Sequence, residues 1–187
     1  MKMKKSILLV LCAILMACML TACGGEEAKD NQIEVSDVFK EMDTVDMDGN
    51  QVTADIFAEN DYTMINCWNV NCPPCVQELP ELEALSKDLA SEKIGVKGLL
   101  YDDKSGLSDA TRAEAERLLE QAGATYQQIL FSDAMMESKE IQELTAFPTT
   151  YIVDNEGSIV AIVTGANNVD GWKDRLIGII KDVEGEN

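Results

Sequence analysis

From residue 44 onward, short apolar runs rich in β-branched residues alternate with longer stretches whose apolar positions recur every three or four residues. That order predicts an α/β sandwich built as one domain. Tyr62-Thr63-Met64-Ile65-Asn66-Cys67-Trp68 reads as a buried strand, and Pro73 opens a helix with Leu79, Leu82, Leu85 and Leu89 on one stripe. Pro80 lies inside that stripe and has no N–H for the carbonyl of Val76, so a kink is expected there. Residues 97–101 form the next strand. Ser108 or Asp109 caps a helix that passes through Leu118 and Leu119 and stops at Gly123. A short strand at 129–131 and a helix over 135–144 follow. Strands at 149–153 and 159–163 then flank Asp154-Asn155-Glu156-Gly157 as a hairpin. The last helix sets Trp172, Leu176, Ile180 and Val183 on one face, and the chain beyond 184 should fray. Upstream, Asp46-Met47-Asp48-Gly49-Asn50 carries an Asp-Gly turn suited to a hairpin. Its acids also fall near calcium-loop offsets, but Thr44 replaces the first carboxylate and Asp55 the bidentate Glu, so it is read as a turn.

Residues 1–22 break this pattern. A basic start, Met1-Lys2-Met3-Lys4-Lys5, leads into an almost unbroken apolar run from Ile7 to Met19, as in a secretory signal. The run ends in Leu20-Thr21-Ala22-Cys23 before Gly24-Gly25. Small residues before a cysteine resemble the lipobox of bacterial lipoproteins, with Cys23 as the lipidated first residue. The alternative is a retained membrane helix over 6–23; either reading puts the domain outside the cytoplasm. Residues 23–33 then serve as lipidated cysteine and polar tether, and 34–187 as the folded domain.

Composition narrows the chemistry. The 187 residues, 46% of them hydrophobic, can fill one core, and no histidine is present. Ser-His-Asp and Cys-His catalysis, haem on an axial His and imidazole zinc sites are thereby excluded. A formal charge of −19 repels a phosphate backbone, so nucleic acid is set aside. Of six cysteines, Cys12 and Cys18 leave with the signal and Cys23 is the anchor; Cys67, Cys72 and Cys75 remain as thiols.

Cys72-Pro73-Pro74-Cys75 stands where the buried strand hands over to a helix. Two intervening residues bring the thiols close enough to bridge, and a helix N-terminus stabilises a thiolate. Reversible disulfide chemistry is favoured. Cys72, ahead of the helix, can be exposed and attack; Cys75, inside the first turn, is shielded and resolves.

The segment from Ile65 to Cys75, INCWNVNCPPC, resembles the active site of the thioredoxin superfamily, specifically the TlpA/ResA-like membrane-tethered thiol-disulfide oxidoreductases. Cys75-Val76-Gln77-Glu78-Leu79-Pro80 is similar to that family's continuation, and Phe147-Pro148-Thr149-Thr150 to its cis-proline loop. In element order the resemblance covers roughly residues 36–183. It implies a thioredoxin-like three-layer sandwich, a central mixed sheet flanked by helices, with an N-terminal hairpin extension.

The resemblance also implies roles. Pro148 would be cis and lie against the cysteines, with the backbone of Phe147 pairing with an extended substrate. Glu78 would accept the proton of Cys75 as that thiol becomes a nucleophile. Asn66 stands where many thioredoxins have a buried Asp, and Asn71 where this family usually has Trp. Substrate contact is expected at Phe147, Pro73, Pro74, Asn71 and Trp68, although Trp68 also suits the core. Cys67 reads as a small buried hydrophobe. No cofactor or metal is implied. Partners would be disulfide-containing extracytoplasmic proteins, with apocytochrome c and methionine sulfoxide reductase among the family's substrates, and a CcdA/DsbD-type membrane electron donor. The protein would sit on the outer face of the cytoplasmic membrane.

Three features weaken the Cys72 thiolate: Pro73 and Pro74 lack N–H donors, no His lies in the motif, and the chain is acidic. A reducing couple is expected, nearer thioredoxin at about −270 mV than the oxidase end near −120 mV. Peroxiredoxin chemistry would need a Thr and a Pro just before the attacking Cys, where Val70 and Asn71 stand. A copper or zinc chaperone and a non-catalytic binding lipoprotein are the alternatives. Zinc would lack an ordinary fourth ligand, and a two-residue disulfide loop gains little chain entropy.

Overall fold

The run Tyr62–Trp68 is β3, the centre of a five-stranded sheet, in a computed structural model that describes residues 38–103 and 107–185. Every side chain from Thr63 to Trp68 is buried, which is why the run shows no alternation of apolar and charged positions. The sheet order is β5-β4-β3-β6-β7, with β4 (Ile94–Leu100), β5 (Gln128–Leu130), β6 (Thr149–Asp154) and β7 (Ile159–Thr164). Strands β3, β4 and β5 are parallel; β6 and β7 are antiparallel additions. The sheet is therefore mixed, as expected.

The period-2 geometry of β3 sends its side chains to two cores. Met64 and Trp68 join one face with three helices: α1 (Pro73–Leu89), α2 (Asp109–Ala122) and α5 (Val169–Glu184). Ile65 and Cys67 join the other, beneath the hairpin β1 (Asp43–Val45) and β2 (Gln51–Thr53), a 3-10 helix at Ala54–Glu59, and the short helices α3 (Asp133–Glu137) and α4 (Lys139–Gln142). Local signals end the helices where they were read. Ser108 accepts from the Thr111 N–H at the start of α2, and Gly123 closes it at φ 64°.

Four expectations are corrected. The strand read at 97–101 begins at Ile94. The single helix over 135–144 is two, broken at Ser138, whose backbone is extended. In an unbroken helix, side chains six residues apart would point about 120° away from each other; the break lets Met135 and Ile141 enter the same core. The short strand read at 129–131 runs Gln128–Leu130. On α5, Trp172 and Leu176 are buried but Val183 is 44% exposed, because the last turn runs out over the start of β3, where Glu184 meets the Tyr62 hydroxyl. The signal, Cys23 and the tether lie outside the described residues.

Candidate active site

Strand β3 delivers the chain to the site, and Asn69 shapes the turn that follows. Its Oδ1 accepts from the Asn71 N–H at 2.8 Å, its carbonyl accepts from the Cys72 N–H at 3.1 Å, and its Nδ2 donates to the Tyr101 carbonyl at 2.9 Å. Cys72 is the N-cap of α1, and its Sγ accepts from the Cys75 N–H at 3.3 Å. Pro73 and Pro74 occupy the two positions after the cap, where a helix has no use for N–H groups. Cys72 and Cys75 are joined in a disulfide, with Cα atoms 5.3 Å apart. Cys72 is half-buried, whereas Cys75 is only 1% exposed. An incoming sulfur can reach the first and not the second.

Opposite β3, the Cys67–Thr149 pair ends the register with β6, and the Phe147–Pro148 peptide just before it is cis. Pro148 is thus held at the end of the sheet from which Cys72 emerges. Its carbonyl accepts from Gly165 N–H at 2.9 Å. Phe147 is half-buried and packs on Tyr101 with ring centroids 5.1 Å apart; Tyr101 meets Phe131 edge-on at 5.7 Å. Asn71, Pro73 and Pro74 are exposed around Cys72.

Glu78, one turn beyond Cys75, is 2% exposed. Its Oε1 accepts from the Asn167 N–H and the Trp172 indole N–H, each at 2.7 Å, and its Oε2 from Asn66 Nδ2 at 3.2 Å. Burial pushes its carboxyl above the usual range; the three donors oppose that, and the neighbouring Glu81 charge adds to it. A carboxyl raised in this way holds a proton more readily than an exposed glutamate does.

One candidate separates from the site, and Cys67 is buried as read. Trp68, expected at the substrate face, is fully buried and its indole donates to Gln128 Oε1 at 2.9 Å, so it is a core residue. Cys67 lies in the core on the opposite face of the sheet from Cys75, and burial pushes its thiol well up. Asp46 spends its oxygens on its own turn and on a distant amide, accepting from Asp48 N–H, Asn50 N–H, Asn50 Nδ2 and Gln127 Nε2. Sequence reasoning missed Asn69, the row of Tyr101, Phe131 and Phe147, and the polar use of Trp172. Asn-x-Asn spacing could have flagged Asn69; the others depend on long-range packing.

The profile of the AhpC/TSA family matches residues 35–162, well over half of the chain. The chain belongs to the AhpC/TSA family. It is 25% identical over 162 residues to the thiol-disulfide oxidoreductase ResA of Oceanobacillus iheyensis, covering 85% of this chain and 72% of that one. It is 30% identical over 111 residues to the thioredoxin-like protein YneN of Bacillus subtilis, covering 58% and 59% respectively. In fold it is similar to a DsbF homologue from Corynebacterium diphtheriae, with a TM-score of 0.61, 19% identity, and coverage of 81% of this chain and 89% of that one. The fold is thioredoxin-like and the chain is ResA-like. Thiol-disulfide exchange is the chemistry that these findings and the Cys72–Cys75 site have in common. Among the described residues no helix is long and apolar enough to cross a membrane.

Proposed function

We propose that this protein is a lipid-anchored, extracytoplasmic oxidoreductase that reduces disulfides of exported proteins through Cys72 and Cys75. The observation that carries the reading is the asymmetry of the pair: an accessible Cys72 sulfur capped by an N–H at a helix start, with Cys75 buried behind it. In the reduced protein the Cys72 thiolate attacks a substrate disulfide docked against Phe147 and Pro148, with Asn71, Pro73 and Pro74 around the attacking sulfur. A mixed disulfide forms. Cys75 gives its proton to Glu78 and attacks Cys72, releasing reduced substrate and leaving the protein disulfide. A CcdA/DsbD-type membrane carrier would restore the dithiol. Apocytochrome c and methionine sulfoxide reductase are substrates of the kind this reading admits, and Cys23 would carry the lipid.

The Sγ of Cys72 accepts from the Cys75 N–H, the donor that the two prolines leave in place. Thiolate stabilisation is correspondingly modest, which supports a reducing couple. Equilibration in dithiothreitol or glutathione buffers, with thiol trapping and mass readout, should give a two-electron transition near about −270 mV. A potential above about −180 mV would make the protein an oxidase or isomerase instead. No transition, with bound metal detected, would replace the redox reading by that of a metal carrier.

A further inference from the structure

The two oxygens of Glu78 are not equivalent. Oε1 takes two short hydrogen bonds, from the Asn167 N–H and the Trp172 indole, and Oε2 a single longer one from Asn66 Nδ2. Amide and indole N–H groups are donors only, so a proton placed on Oε1 would face two N–H groups, displacing one short bond and weakening the other. A proton on Oε2 displaces only the longer contact. Asn66 Nδ2 also donates to Thr150 Oγ1 at 3.0 Å, so the amide keeps a partner when it releases Oε2. Trp172 itself is fully buried on α5, and its ring is locked in the helix-side core.

We propose that Trp172 is a positioning residue for thiol chemistry, clamping Oε1 together with the Asn167 N–H so that Oε2 is the atom that accepts the Cys75 proton. This rests on the role of Glu78 given above. When Cys75 attacks the mixed disulfide, its S–H proton passes to Oε2 and its electron pair forms the bond to Cys72. The bond between Cys72 and the substrate breaks, and its pair leaves on the substrate sulfur, which is protonated by water. The dithiol loses two electrons and the substrate gains them. Glu78 also lines a cleft of about 230 Å³ with Pro74, Gln77 and Asn167.

The charged and titratable groups around Glu78 leave this assignment intact. Glu81, next on α1, is tied to the Val169 N–H at 3.1 Å and raises the Glu78 pKa by its charge. Tyr126, ahead of β5, stays neutral because burial pushes its phenol up. Arg175 of α5 bonds the Asn167 side chain at 3.3 Å. Strands β3 and β6 contribute the uncharged Asn66 and Thr150.

The test is single-turnover reduction of glutathione disulfide by the full reduced chain across pH, with the resolution step read by acid quench and mass. Wild type should lose rate on the acid side along a limb set by Glu78. Trp172→Phe keeps the ring and removes the donor that favours the ionised carboxylate. The limb should move up by about one pH unit, slowing resolution about tenfold below it. In a Glu78→Gln background the limb should vanish and Trp172→Phe add no shift. A limb unmoved by Trp172→Phe overturns the proposal, as does an equal effect of that change in the Glu78→Gln background. A limb that survives Glu78→Gln instead removes the role of Glu78 itself, and the inference with it. Should Trp172→Phe fail to fold, the wild-type indole N–H resonance decides: it should titrate with the midpoint of the limb, and a stationary resonance overturns the proposal.

Discussion

Glu83 offers the sharpest test of how the cysteine helix is fixed to the sheet. On α1 it is 5% exposed, yet it carries a charge. Its oxygens accept from the Thr125 N–H at 2.6 Å, the Thr125 hydroxyl at 2.9 Å and the Tyr126 N–H at 3.3 Å, and Lys87 lies 2.7 Å away. Burial alone would raise its carboxyl; the Lys87 and Thr125 bonds outweigh it and bring the pKa down from 4.5 to about 2. A difference of that size corresponds to about 3 kcal/mol of stability at neutral pH. Lys87 is 69% exposed and partly screened, so about 2–3 kcal/mol is the working figure. Because the folded pKa lies below the unfolded one, this stability is complete above about pH 4.5 and drains away as pH falls toward 2.

Glu83→Gln keeps the shape, removes the charge, and turns an N–H₂ toward the Thr125 donors. Urea unfolding at pH 7 should show a loss of about 2–3 kcal/mol with unchanged slope, and thermal scans a drop of about 5–10 °C. At pH 3 the gap between wild type and variant should shrink to less than half. A loss under about 1 kcal/mol at pH 7 would refute the reasoning, and so would a gap that does not narrow with acid.

Other outcomes follow from the same geometry. Cys75→Ser should trap a Cys72 mixed disulfide with substrate, visible by mass without reductant; rapid turnover by this variant would overturn the division of roles. In the native reduced protein, iodoacetamide at pH 8 should modify Cys72 and spare Cys67 until the chain is denatured, and equal labelling rates would contradict the burial of Cys67 on the far face. Gly98→Ala would drive a methyl into the Gln128 amide that holds the Trp68 indole. It should cost about 1–3 kcal/mol and alter tryptophan fluorescence; unchanged stability and emission would show that Gln128 can swing away freely.

The sequence by itself determined what depends on near neighbours. Apolar periodicity marked β3, α1, α2, β6 and β7, because burying one face imposes its repeat on the chain. Ser108, Gly123 and the Asp-Gly turn set boundaries because caps and turns are satisfied within a few residues. CPPC at a strand-to-helix junction located the chemistry, since helix start and thiol pair are both local. The tertiary structure alone decided how that chemistry is supported. Trp172, 94 residues from Glu78, and Asn66, itself bonded to Thr150 84 residues away, reach one carboxylate only after β3, β6 and α5 have packed. It also put Cys67 and Cys75 on opposite faces, kept Trp68 from the substrate side, and broke the helix at Ser138 so that Met135 and Ile141 share a core. Hydrogen-bond satisfaction and core filling act between residues adjacent in space, whatever their separation along the chain, and no local pattern encodes which distant donor will meet a given carboxylate.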